Sequence, residues 1–167
     1  IYIDGKWKTV LISSLGAGGH SFFALDITDP DNPKHLFTVN NDSSNSKVSF
    51  WTKNDIEQIY AYSSNMDVEN DYRKLGETWS TPRIVKLKIS GADKWVAIAG
   101  GGYNGATNPN YGSAVFIIDL ENDGKLINKI DIQDKSSIDI VNSIPSDLTI
   151  ITADSTENAK YHGALVY

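Results

Sequence analysis

Several stretches of this sequence hold residue types that do chemistry in other settings. The densest is LGAGGH, residues 15–20, where three glycines fill four consecutive positions but one. A loop of this composition cradles the phosphates of a dinucleotide when it follows a strand and opens a helix, because the first amides of the helix and its dipole hold the pyrophosphate. Here SFFALD follows, an aromatic and β-type run with no helical character, so the phosphate reading fails. What remains for bare backbone is conformational: glycine takes positive φ and lets two chains approach where a Cβ would intrude. AGGGYNG, residues 99–105, repeats the composition further along, as packing motifs do and catalytic motifs seldom do.

Asp26 and Asp119 each close an apolar run and precede turn residues, TDPDNP and ENDG. Two opposed carboxylates would serve acid–base catalysis. These two instead share one local setting, that of a side chain accepting from the backbone amides of the turn that follows, and the turn role is expected. In TADSTENAKYHG, residues 152–163, Asp154, Thr156 and Asn158 alternate like the first ligands of a calcium loop. Only one of the three is a carboxylate, the central glycine is missing, and His162 stands where a hard cation wants oxygen. Asp154 and Asn158 are the metal-ligand candidates of a degenerate loop. His20, His35 and His162 show no metal-pair spacing, and no Gly-x-Ser-x-Gly elbow accompanies them, so structural or surface roles are expected. Trp7, Trp51, Trp79 and Trp95 suit either a sugar or quinone site or, as expected here, a packing wedge between adjacent sheets. No residue is expected to be catalytic.

Composition narrows the classes further. The absence of cysteine removes thiol catalysis, cysteine zinc sites and disulfides together. The formal charge of -6 comes from 15 basic and 21 acidic residues, with no Lys/Arg cluster to track a phosphate backbone, so nucleic acid is not an expected partner. No apolar run approaches the about 18 residues of a membrane-spanning helix. A length of 167 residues, 40% hydrophobic and 22% charged, suits one folded domain or part of one. Ile1 opens in mid-pattern and YHGALVY closes without a polar cap, so the chain is expected to be a piece of something longer, with any targeting signal elsewhere.

The elements that must position these residues are short β-type runs bounded by Gly, Asp, Asn and Pro. Candidate strands cover 9–14, 21–26, 35–39, 82–89, 95–99, 114–120, 126–132, 148–152 and 163–167. KTVLISSLGAGG with SFFALDITDPDNPKHLFTV aligns on KWVAIAGGGYNG with AVFIIDLENDGKLINKI: a basic residue, an apolar strand, a Gly-rich turn, a strand closed by Asp, a polar turn and a third strand. A fainter copy opens at SDLTIITAD. Units of about 40 to 50 residues, each a small antiparallel sheet, are the sequence signature of propeller blades. The expected fold is therefore an all-β propeller fragment of about two and a half four-stranded blades. Blade 1 covers about 1–40, an insert 41–74, blade 2 about 75–132, and blade 3 starts at about 142–167. Within the insert, NDIEQIYAYSS, residues 54–64, reads as a short helix capped by Asn54 or Asp55, with Ile56, Ile59 and Tyr60 on one face. The insert is either a binding surface or a solvated loop.

At this point the residues resemble a known family. Residues 7–37, then LGETWSTPRIVKLK, KWVAIAGGGYNG and AVFIIDLENDGKLI are similar to the C-terminal β-propeller of the PilY/PilC family, the type IV pilus biogenesis factors and tip adhesins. The resemblance covers 7–37 and 75–132. It implies a non-enzymatic module of an exported protein at the outer membrane, cell surface or pilus tip of a Gram-negative bacterium, supporting pilus assembly and adhesion. Minor pilins or tip components, and host surface ligands, would be its partners. It implies no cofactor here, with calcium open for the parent protein, since the 154–162 loop departs from the family's Asp-rich pattern. The insert 41–74 has no counterpart in the family pattern. Two other readings stand beside it. The blade pattern also resembles the quinoprotein dehydrogenases, whose propellers hold pyrroloquinoline quinone, and the insert's Trp51, Tyr60 and Tyr62 would suit a carbohydrate-binding propeller.

Overall fold

The computed structural model describes residues 1–103, 111–132, 143–152 and 164–166. Among them, strands alternate with turns, and the helical content is two single 3-10 turns at Ser43–Asn45 and Val68–Asn70. A short hairpin, β1 (Tyr2–Ile3) and β2 (Lys6–Trp7), leads into the first sheet. That sheet runs in sequence order through β3 (Val10–Ser14), β4 (Ser21–Asp26), β5 (Lys34–Asp42), β6 (Lys47–Thr52) and β7 (Glu57–Ala61). The second contains β8 (Arg83–Ile89), β9 (Ala92–Gly100), β10 (Ala114–Asp119) and β11 (Leu126–Asp131), each bonded antiparallel to its sequence neighbour. β12 (Ile150–Thr152) pairs antiparallel with β13 (Ala164–Val166). The all-β architecture of repeated antiparallel sheets is as the sequence predicts.

Side chains on a strand alternate between faces, and this period assigns the cores. Phe22, Ala24, Phe37, Val39, Val48 and Phe50 of the first sheet share one buried cluster with Ala97, Ala99, Phe116 and Ile118 of the second. The register sets Phe116 beside Ala99 and Ile118 beside Ala97, so the small residues of β9 leave room for rings arriving from the first sheet. The opposite face of the second sheet, with Val96, Ile98 and Val115, forms another core with Leu148, against which Ile150 packs. The sheets therefore stack face to face.

The segment 41–74 differs from the sequence expectation. No helix forms over 54–64. β6 and β7 make a hairpin that completes the first sheet, giving it five strands where four were expected. The turn is closed by Asp55 N–H donating to Thr52 O at 2.9 Å and Thr52 N–H to Ile56 O at 3.1 Å. Asp55 takes a φ of +57° there, a conformation Asp and Asn tolerate better than most residues. The 56, 59, 60 spacing fits a helix only for a segment standing alone. Beside the open edge of β6 it folds as a strand, with Ile59 turned to solvent and Tyr60 turned to the core.

Candidate functional site

Residues 74–80 pass from one sheet to the next and are bonded into both glycine-rich turns. On one side, Gly16 N–H donates to Thr78 O at 3.1 Å and Thr78 N–H to Gly19 O at 3.2 Å. The buried Thr78 hydroxyl donates to Ser21 O at 3.0 Å and accepts from Leu15 N–H at 2.9 Å. On the other side, Gly76 N–H donates to Gly101 O at 2.8 Å, and Glu77 and Tyr103 exchange both backbone bonds at 2.7 and 2.8 Å. Ile144 serves the second turn similarly: Gly102 N–H donates to Ile144 O and Ile144 N–H to Gly112 O, each at 3.0 Å.

The need for bare backbone is concentrated at the second turn. A Cβ added to Gly76 would lie 2.5 Å from Tyr103 O, and one on Gly101 2.6 Å from Gly112 O. Gly102, at φ +90°, would press its Cβ onto Glu77 O. The first turn is more open. Gly16 needs its positive φ of +57° but has the Trp79 ring no nearer than 3.6 Å, and a Cβ on Gly19 would meet only the Leu15 Cδ1 at 3.3 Å. The glycines are packing elements, as their repetition in sequence predicts.

Asp26 and Asp119 hold turns. Asp26 Oδ1 accepts from the Thr28 N–H at 3.0 Å and its hydroxyl at 2.6 Å, and Asp119 Oδ1 from Glu121 N–H at 2.9 Å. Each has a second partner in the basic residue heading its repeat: Lys8 Nζ lies 3.4 Å from Asp26 and Lys94 Nζ 2.7 Å from Asp119. Burial works to raise the pKa of Asp26, but the Thr28 bonds and Lys8 outweigh it and hold the group below its ordinary value. The bond to Asp119 raises the pKa of Lys94. A carboxylate so committed to fixed donors is suited to holding structure rather than to shuttling protons. The lysine was visible in sequence as the first residue of each repeat, without its partner being assigned.

The wedge between the sheets is Tyr72, which corrects the expectation of a tryptophan. Trp7, Trp79 and Trp51 are 71%, 52% and 41% exposed, and Trp95 sits half-buried at the margin of the core. Tyr72 is fully buried, edge-on to Phe50 of β6 at 5.7 Å and stacked on Phe116 of β10 at 5.1 Å. Its hydroxyl donates to Gly124 O at 2.7 Å, satisfying a carbonyl that an apolar ring would leave bare. Burial pushes its pKa well up. Next to it, the buried Asp71 accepts from Arg73 Nε at 2.8 Å and Nη2 at 3.0 Å and from Lys129 of β11. Burial opposes its charge, yet these cations bring its pKa down to about 2. Asn41 donates to Leu75 O at 2.8 Å and accepts from Tyr62, whose hydroxyl is pushed up to about 12, chiefly by burial. Residues 62–75 thus tie the two sheets together, a role that their polar sequence conceals.

The other sequence candidates disperse. His35 Nε2 pairs with Thr38 Oγ1 at 2.9 Å, and among the described residues no three His, Asp or Glu side chains gather in a metal-holding group. Asp154, Asn158 and His162 lie outside the described residues. Trp51, Tyr60 and Tyr62 form no shared platform, because Tyr60 is edge-on to Phe50 at 5.7 Å and Tyr62 is engaged with Asn41. Exposed aromatics collect at the ends of the stack instead. Trp79 and Tyr103 stand beside the glycine turns, while Tyr2, Trp7 and Trp95 line a cleft at the opposite strand ends.

Comparison with known proteins places this arrangement in a lineage. The sequence profile of the PilY1 beta-propeller domain matches residues 1–165. The chain is 32% identical over 137 residues to the type IV pilus biogenesis factor PilY1 of Pseudomonas aeruginosa strain UCBPP-PA14, and 35% identical over 133 residues to a PilY1 homolog of Xylella fastidiosa strain Temecula1. These matches cover 82% and 80% of this chain but 9% and 7% of the relatives, so the chain spans less than a tenth of their length. The crystal structure of the Pseudomonas aeruginosa PilY1 C-terminal domain superposes with a TM-score of 0.57 at 28% identity, covering 95% of this chain and 24% of that one.

Proposed function

The chain belongs to the PilY1 β-propeller family, and we propose that it is a non-enzymatic propeller module supporting the assembly and extension of type IV pili. The observation that carries this reading is the family match over residues 1–165, alongside relatives named as pilus biogenesis factors. The chemistry of the chain agrees with it. The glycine loops and carboxylates that invite a catalytic reading are occupied in holding turns and joining sheets, which makes a rigid platform rather than a reaction centre. On this proposal the module acts in an exported protein at the outer membrane, cell surface or pilus tip, engages minor pilins or tip components, contributes to adhesion to host surface ligands, and requires no cofactor of its own.

The test is an in-frame deletion of residues 1–167 from the full-length protein in its native strain. Sheared surface pili are then quantified by immunoblot, and minor pilins are co-purified with the intact and deleted proteins. Loss of surface pili together with loss of minor-pilin capture is expected. Unchanged piliation would overturn the assembly role, and dye-linked alcohol oxidation by the full-length protein reconstituted with pyrroloquinoline quinone would overturn the non-enzymatic one.

A further inference from the structure

We propose that the double cleft around Trp7 is a binding site for neutral pyranose sugars. Trp7 is the most exposed large apolar side chain among the described residues, and leaving an indole in water is unfavourable unless something covers it. Its orientation is fixed. The β1–β2 register sets Tyr2 opposite Trp7, and the two rings meet edge to face at 5.6 Å and 65°. Trp7 is the shared wall of two adjoining clefts, one of about 460 Å³ extending to Trp95 and one of about 420 Å³ extending to Asn32 and Lys34. Both volumes fall in the range of small-ligand sites.

The polar groups beside the rings are already oriented. Glu121 Oε1 accepts from the backbone N–H of Trp95 at 2.9 Å, and Lys86 Nζ is 2.7 Å from Asp93. A carboxylate accepts about four hydrogen bonds, so Glu121 keeps capacity for a ligand hydroxyl. Sugar hydroxyls both donate and accept, and the C–H face of a pyranose is an apolar plane that lies on an indole. Charge argues against anionic ligands: five carboxylates and four lysines line the two clefts, which leaves no positive field to gather a phosphate or an acidic sugar. The cleft that extends to Trp95 lies between the β1–β2 hairpin, the paired Lys86 and Trp95 of β8 and β9, and Glu121 in the turn after β10. The site stands on this geometry alone, and sugar binding is measurable whether or not the protein assembles pili.

The experiment uses the full-length protein on a glycan array carrying mannose, galactose, glucose and N-acetylglucosamine oligosaccharides beside sialylated and sulfated ones. Tryptophan-fluorescence titration with the best neutral oligosaccharide follows. Binding to neutral glycans is expected, with an at least tenfold loss in Trp7→Ala, a smaller loss in Trp7→Phe and a severalfold loss in Glu121→Gln. Trp79→Ala, at the opposite end of the sheets, is expected to bind as the parent does. Should Trp7→Ala lose its far-UV strand signature, Trp7→Phe and Glu121→Gln decide. No neutral glycan bound, binding confined to acidic glycans, or affinity unmoved by the Trp7 and Glu121 variants would overturn the assignment.

Discussion

The two glycine-rich turns have the same composition and nearly the same place in their sheets, yet they need glycine for different reasons. The turn at 16–19 is bonded both by the Thr78 backbone, which reaches Gly16 and Gly19, and by its buried hydroxyl, which reaches Leu15 and Ser21. A side chain supplies part of the reach, and a Cβ on Gly16 or Gly19 meets only side-chain atoms, at 3.6 and 3.3 Å. The turn at 100–102 also takes a side-chain bond, from Gly100 N–H to the Ser80 hydroxyl at 3.0 Å, but its contacts with Gly76, Glu77 and Ile144 are backbone to backbone, and there the chains approach so closely that a Cβ has no room. Composition reports that glycine is used, while the partner's chemistry decides how strictly it is required.

This contrast is open to direct attack. Gly102→Ala combines a disfavoured φ with overlap on a carbonyl oxygen, and should lower stability by about 3 kcal/mol or more, read as a fall in the urea midpoint. Tyr72→Phe, at the tie between the sheets, strands the Gly124 carbonyl and should lose roughly 1 to 3 kcal/mol, with the midpoint shift unaccompanied by a change in m-value. Acid probes the same tie. The folded pKa of Asp71 is about 2 against an ordinary 3.8; its contribution is complete above the ordinary value and disappears as the pH falls through the folded one. Urea midpoints should therefore drop between about pH 4 and pH 2, and Asp71→Asn, less stable at neutral pH, should lack that part of the drop.

The lysine pairs allow a finer comparison of the two repeats. Asp119 is more buried than Asp26 and its ion pair is shorter, so Lys94→Met should lose about 1 kcal/mol and Lys8→Met less. A thermal melt in which Lys8→Met is the more damaging would reverse that ranking. The smallest change is expected at Gly19→Ala, within about 0.5 kcal/mol. A loss there comparable to Gly102→Ala would erase the distinction between the turns.

Much of the fold was legible because it depends on local pattern. SFFALD alternates cleanly and stops at an aspartate, and β4 occupies those residues. The repeat aligned correctly because its turns carry glycine and aspartate for local backbone reasons. NDIEQIYAYSS was misread because eleven residues hold both a helical and a strand spacing, and the deciding factor, the open edge of β6, belongs to another part of the chain. Tyr72 was missed because NDYRKLG offers no apolar run to mark a core residue; its only local signal is a tyrosine set close before a glycine. The tryptophans misled in the opposite direction, since their size suggests burial while three of the four are exposed at the surface. The Trp7 cleft was hidden for a further reason: its walls come from residues 2 to 7 and 86 to 121, which only the stacking of the sheets brings together.

The strap from Lys74 to Ser80 bears on how such an array grows. Because it is sewn into the turn of the sheet before it and the turn of the sheet after it, cutting the chain at the visible gap between the sheets would leave both turns open. The unit that can be copied is thus a sheet together with the strap that follows it, and Ile144 marks where the next strap performs the same closure. Gene duplications or engineered insertions that respect this offset frame should fold, whereas those that divide the chain between β7 and β8 without the strap should leave ragged ends.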